Sequence, residues 1–175
     1  MKLLLIKTIL IILTVIINNK NAVQIKETQT IKNDIIINNN SDILGTIKIE
    51  KIKLNKPLYD INNHKNNIEE NVTILKESIL PPNNNSIIFL AAHSGTSSIS
   101  FFNNLNKLNI NDEIILTIKN NKYIYTINKI SKQKKVGYIN INKERKNQLI
   151  LTTCDPTNNK YQLIISSTKK ELKLN

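Results

Sequence analysis

The sequence predicts an all-β fold, an antiparallel barrel or sandwich, and three observations predict it. Isoleucine is the commonest residue, 34 of 175, and a β-branched side chain fits a pleated, half-buried surface better than a helix. From Leu44 onward, short segments of alternating or continuous apolar residues recur. Clusters of Asn, Pro and Asp separate them at a spacing of roughly 8 to 12 residues, which suits many short strands and few helices.

The first strand is read in Gly45-Thr-Ile-Lys-Ile-Glu-Lys-Ile-Lys-Leu, where Ile47 and Ile49 face one side, Lys48 and Glu50 the other, and the pattern resets at Lys51 and Ile52. Pro57-Leu58-Tyr59 starts a second strand or a turn. Val72, Ile74, Leu75 and Ile79 lie at loose helical spacing and stop at Pro81-Pro82, so a short helix or an irregular segment is expected over Ile68 to Leu80. Ser86 to Ala92 is a continuous apolar run bounded by Asn83 to Asn85 and by His93-Ser-Gly, as a central buried strand requires. Phe101, Phe102, Leu105 and Leu108 recur at helical spacing and predict a short amphipathic helix over Ser100 to Leu108. Ile114 to Ile118 and Tyr123 to Ile130 read as a hairpin around Lys119-Asn-Asn-Lys. Gln148 to Thr153 and Tyr161 to Ser167 are two further strands, separated by the turn Asp155-Pro-Thr-Asn-Asn.

Composition narrows the function. Ile, Asn (30) and Lys (24) make up half the chain, against 3 Gly, no Trp and a single Arg, Arg145. Apolar content of 40% excludes wholesale disorder, and collagen, coiled-coil and disulfide scaffolds are excluded as well. A formal charge of +12 would ordinarily raise nucleic-acid binding. The lysines are scattered singly among Asn and Ile, however, and the one cluster, Lys132 to Lys135, is more often a solvated loop, so no nucleic-acid partner is expected. Asp112 and Glu113 stand without the dense carboxylates of a metal site, and neither metal nor cofactor is expected.

The amino terminus reads as a targeting segment. Leu3 to Ile17 is apolar except for Lys7, Thr8 and Thr14. As a helix it would span about 22 Å, short of the roughly 30 Å hydrocarbon core, which suits a signal-peptide core or a short anchor. No Ala-x-Ala pattern follows it, which favours an uncleaved anchor. The domain plan is therefore 1–18 as membrane anchor or signal, 19–43 as an Asn- and Lys-rich linker with some strand near Ile35 to Ile37, and 44–175 as the folded domain, exported and held at the cell membrane by a single pass.

Two polar groups close buried strands. His93 follows the apolar run ending at Ala92, and Cys154 follows Leu149-Ile-Leu-Thr-Thr and precedes Asp155-Pro156. A strand-end His is more often structural, and a lone Cys more often a small core hydrophobe. Together, in an exported chain whose other histidine, His64, lies in an Asn-rich loop, they pose a Cys–His pair for covalent catalysis. Asp155 either orients His93 or caps the turn into Pro156, the cap being the commoner role.

His93-Ser-Gly after Ile-Ile-Phe-Leu-Ala-Ala, Leu-Thr-Thr-Cys at 151 to 154, and the Gly45 strand leading to Pro57-Leu58-Tyr59-Asp60 resemble the sortase family. Phe102-x-x-Leu105, Asn111-Asp112-Glu113-Ile114 and Tyr123-x-Tyr125-x-Ile127 extend the resemblance over about Leu44 to Ser167. It implies an eight-stranded antiparallel β-barrel with one or two short helices, and a membrane-anchored cysteine transpeptidase that cleaves a Leu-Pro-x-Thr-Gly-like sorting signal of secreted proteins. The acyl group would pass through a Cys154 thioester to an amine of a cell-wall precursor or a pilin, with His93 as proton carrier and Thr153 lining the site. The short join between Ile130 and Gln148 favours a class A-like or class D-like member. The family carries an Arg on the last core strand. Here Gln162 is its positional equivalent, and Lys160, two residues earlier on the same strand face, is the alternative source of charge. Other readings are a non-catalytic sortase-like surface domain that binds a peptide or wall component, and a basic surface-binding module.

Overall fold

The computed structural model describes residues 42–141 and 146–170. Eight strands form one sheet: β1 (Ile43–Ile49), β2 (Leu54–Tyr59), β3 (Thr73–Ile74), β4 (Ile87–Ala91), β5 (Glu113–Ile118), β6 (Asn121–Lys134), β7 (Gln148–Cys154) and β8 (Tyr161–Lys169). Their order is β2-β1-β5-β6-β8-β7-β4-β3, and the outermost two, β2 and β3, touch, so the sheet closes into a nearly complete barrel. Alternation builds the interior: Ile47 and Ile49, Ile88 and Leu90, Ile114 and Leu116, Leu149 and Leu151, and Leu163 and Ile165 belong to one apolar cluster. Each strand's other side forms the barrel's outer face.

The turn chemistry suits the composition. β5 and β6 pair from Ile118↔Asn121, leaving Lys119 and Asn120 as a two-residue loop with φ of 47° and 67°. Positive φ at both central residues is the primed turn that matches strand twist. Asn111, Asn120 and Asn147 all occupy this left-handed region, where asparagine is the best-tolerated residue after glycine.

The predicted all-β class, the central strand, the hairpin and the last two strands are present. Three features differ from expectation. First, the sheet is not wholly antiparallel: β4 and β7 run parallel, from Ile87↔Gln148 to Ala91↔Thr152. A parallel pair needs a long crossover, here supplied by everything from His93 to Asn147, including the β5–β6 hairpin. It also explains why β7, buried on both sides up to Thr153, reads as a near-continuous apolar run rather than an alternating one. Second, the short helix expected over Ser100 to Leu108 is a 3₁₀ turn, Leu105–Lys107, and a further 3₁₀ turn, Glu50–Ile52, ends the first strand where its alternation resets. Phe102, Leu105 and Leu108 are buried at intervals of three, which is the 3₁₀ period of 3.0 and not the α period of 3.6. Over Ile68 to Leu80 the chain is irregular around the two-residue β3. Third, β6 continues to Lys134 beside β8, so the basic cluster taken for a solvated loop is largely strand. The 19–43 linker and the apolar Leu3 to Ile17 segment lie, but for Asp42 and Ile43, outside the described residues. Among the described residues no helix is long and apolar enough to cross a membrane.

Candidate active site

Strand register brings the predicted residues together. On β4, Ile88, Leu90 and Ala92 belong to the core cluster, so Ile87, Phe89, Ala91 and, next in the alternation, His93 take the outer face. On β7, Leu149 and Leu151 face the core, which leaves Ile150, Thr152 and Cys154 on that same outer face. The parallel register ends at Ala91↔Thr152. Continued for two residues past the end of β4, that register would set His93 opposite Cys154, with adjacent strands about 4.8 Å apart. Side-chain bonds lock this end: Thr153 Oγ1 donates to the Ala92 carbonyl at 2.8 Å, and Ser94 Oγ donates to the Cys154 carbonyl at 2.8 Å.

The row continues across the sheet. Cys154 pairs with Gln162 on β8, and Gln162 with Gln133 on β6, so all three side chains share the outer face. Cys154 is exposed, in contrast to the six residues before it on β7. Its sulfur accepts a hydrogen bond from Lys135 Nζ at 3.0 Å. Lys135 lies two residues beyond Gln133 and hence on the same face, and its backbone N–H donates to the Lys160 carbonyl at 3.0 Å. Among the described residues the hydrogen bond at the thiol comes from Lys135 and not from His93. The His93 Nε2 is instead 3.3 Å from Glu69 Oε1.

Of the candidate residues, Thr153 is buried behind the thiol with its hydroxyl committed to Ala92. Gln162 occupies the outer face, its amide within 3.5 Å of both Thr152 Oγ1 and the Tyr138 carbonyl. Lys160 falls in the turn before β8 and not on the strand, because Asn158 closes that turn: its Oδ1 accepts from the Lys160 N–H at 3.0 Å and its carbonyl from Tyr161 at 3.0 Å. Lys135 was missed, since composition marked its cluster as solvated and only the β6–β8 register reveals which way it faces. Arg145 lies outside the described residues. Among the described residues no group of three or more His, Cys, Asp and Glu side chains could hold a metal.

Asp155 caps the turn after the cysteine. Its Oδ1 accepts from Thr157 N–H at 2.9 Å and Thr157 Oγ1 at 2.8 Å, and its Oδ2 pairs with Lys132 at 2.8 Å. The Lys132 ammonium, and after it the Thr157 N–H, hold this carboxyl down to about 2, against burial, which pushes the other way. An unfolded Asp titrates near 3.9. The folded value is the lower one, so the contribution to stability is present above about pH 4 and is lost as pH falls through about 2. The urea midpoint of the native protein should exceed that of Asp155→Asn above pH 4, and the gap should close toward pH 2. A gap that stays constant over that range would contradict the assignment.

The known proteins that resemble this chain agree on its family. A model of the Sortase domain matches residues 47–170. The fold is similar to that of sortase C1 from Streptococcus agalactiae, at 25% identity over 76% of this chain and 70% of that one, with a TM-score of 0.64. It is also similar to a lid mutant of sortase A from Corynebacterium diphtheriae, at 21% identity, 75% and 72% coverage and a TM-score of 0.64. Sortase C from Clostridium perfringens shares the fold at 24% identity, 75% and 72% coverage and a TM-score of 0.60. No curated protein matches the sequence. The domain match takes in every strand from the middle of β1 to the end of β8, and with it both strand ends that carry His93 and Cys154: this chain belongs to the sortase family.

Proposed function

We propose that this protein is a cysteine transpeptidase that cleaves a Leu-Pro-x-Thr-Gly-like sorting signal and joins the new carboxyl end to an amine of a cell-wall precursor or a pilin. The observation that carries the reading is the parallel pairing of β4 and β7, with exposed Cys154 ending β7 and His93 two residues past the end of β4. In this mechanism the Cys154 thiolate adds to the scissile carbonyl, and the negative charge passes to the carbonyl oxygen. The tetrahedral species collapses as His93 gives a proton to the departing amine, leaving an acyl group on sulfur. The incoming amine then loses a proton to His93, attacks the thioester and releases the thiolate. Val136 and Tyr138, exposed apolar residues in the β6–β7 loop, offer contact for the apolar part of the peptide. That loop is tied over the outer face by Gln133, whose amide donates to the Asn140 carbonyl and accepts its N–H. The Leu3 to Ile17 segment would hold the protein at the membrane with the catalytic domain outside the cell.

The full chain, incubated with Leu-Pro-x-Thr-Gly-type peptides and hydroxylamine, should release the peptide hydroxamate. No product, together with no covalent Cys154 adduct from any sorting peptide, would sink the enzyme reading. The uncharged Gln162 at the family's Arg position favours a second reading, a surface domain that binds such peptides without cleaving them. Saturable binding with no adduct would establish it.

A further inference from the structure

We propose that Lys135 is the cation that holds Cys154 as a reactive thiolate. The inference rests on the transpeptidase reading for its purpose, but its geometry is independent of any substrate. A thiol acts as a nucleophile only as the thiolate, and a neighbouring cation favours that form. Gln162, the register partner of Cys154 on β8, carries no charge. Among the described residues, two lysines on the β6 side reach β7 or the turn after it, and of these Lys132 is committed to Asp155 at 2.8 Å and to Thr157 Oγ1 at 3.2 Å. Lys135 instead directs its ammonium at the sulfur, 3.0 Å away. Its own backbone is fixed by the hydrogen bond from its N–H to the Lys160 carbonyl, so the side chain starts from a defined point at the end of the β6–β8 ladder. Lys160 acts through that carbonyl, as the support of Lys135.

An ammonium is a compact charge on a flexible stem. It can keep contact with sulfur without the fixed planar fork that a guanidinium needs, and a lysine on the neighbouring strand is therefore able to serve from a position two residues past the Gln133–Gln162 pair. His93, facing Glu69, is left free of the sulfur and available for proton transfer to the amines.

The test uses the full chain and two readouts. The first is the rate at which iodoacetamide alkylates Cys154 at neutral pH, in which the thiolate displaces iodide. The second is hydroxamate release. Lys135→Ala should slow alkylation about tenfold and hydroxamate release about a hundredfold, with an unchanged circular dichroism spectrum. Lys135→Arg should stay within about tenfold of the native protein in both, a rescue that a merely structural role would not require. Lys122→Ala, at the distant β5–β6 turn, should leave both rates unchanged. Alkylation in Lys135→Ala at the native rate, or a larger loss in Lys160→Ala than in Lys135→Ala, would overturn the proposal. If the native protein releases no hydroxamate yet Lys135→Ala still slows alkylation, the pairing stands and the transpeptidase reading falls. If hydroxamate forms and Lys135→Ala matches the native protein in both readouts, the reverse holds.

Discussion

Cys154→Ala should reduce hydroxamate release to background, a loss of about 10⁴-fold or more, while the protein melts within a few degrees of the native chain. Both halves follow from where the residue sits. Its side chain is the one exposed member of β7 and lies on the outer face, so removing the sulfur opens no cavity in the core. What disappears is the nucleophile of the proposed mechanism and the acceptor for Lys135. The chain holds no other cysteine to take over, and a hydroxyl or amine nearby lacks the nucleophilicity of a thiolate. Intact-mass measurement with a sorting peptide should find an acyl adduct on the native protein and none on the variant. Product surviving the substitution would remove Cys154 from the mechanism.

Gly45→Ala should be the most damaging single methyl group in the barrel. Gly45 is buried in β1 between β2 and β5, pairing with Leu58 on one side and Ile118 on the other. A Cβ there would fall 1.8 Å from the Thr117 carbonyl oxygen and 2.8 Å from its carbon, both backbone atoms of β5. No rotamer relieves a clash with a neighbouring main chain, so β1 and β5 must part and give up ladder hydrogen bonds. Overpacking costs about 1–3 kcal/mol and each lost bond about 1 more, a large share of a stability that totals about 5–15 kcal/mol for a domain. The melting temperature should fall by roughly 10 °C or more. Gly137→Ala is the natural comparison: its Cβ would meet nothing within 4 Å, and only its φ of 85° resists the change. Equal melting temperatures for the two variants would show that β5 yields more easily than its position implies.

Strands announce themselves through period and apolar runs, and β1, β4, the β5–β6 hairpin, β7 and β8 were legible for that reason. Partnership between distant strands leaves no such mark. Nothing in Ile-Ile-Phe-Leu-Ala or Leu-Ile-Leu-Thr-Thr states that the two lie side by side, still less that they run parallel. The tail of β6 was hidden because Ser131 to Lys134 is polar on both sides, its pairing with β8 being decided by backbone alone. His93 and Cys154 could be picked out as rare residue types at the ends of buried runs, and the family resemblance then joined them. Lys135 had no comparable signal: it is one lysine of 24, and the direction it faces depends on a register that local sequence does not carry.

The parallel pairing of β4 and β7 also sets when the site comes into being. The β5–β6 hairpin closes over a two-residue turn and can form early, because little chain entropy opposes it. Ser94 and Cys154 are 60 residues apart, so their contact must await the docking of strands across most of the domain. Until that closure Cys154 has neither the Ser94 hydroxyl at its carbonyl nor the Lys135 ammonium at its sulfur. The contacts made by Cys154 are thereby assembled only in molecules that have finished folding.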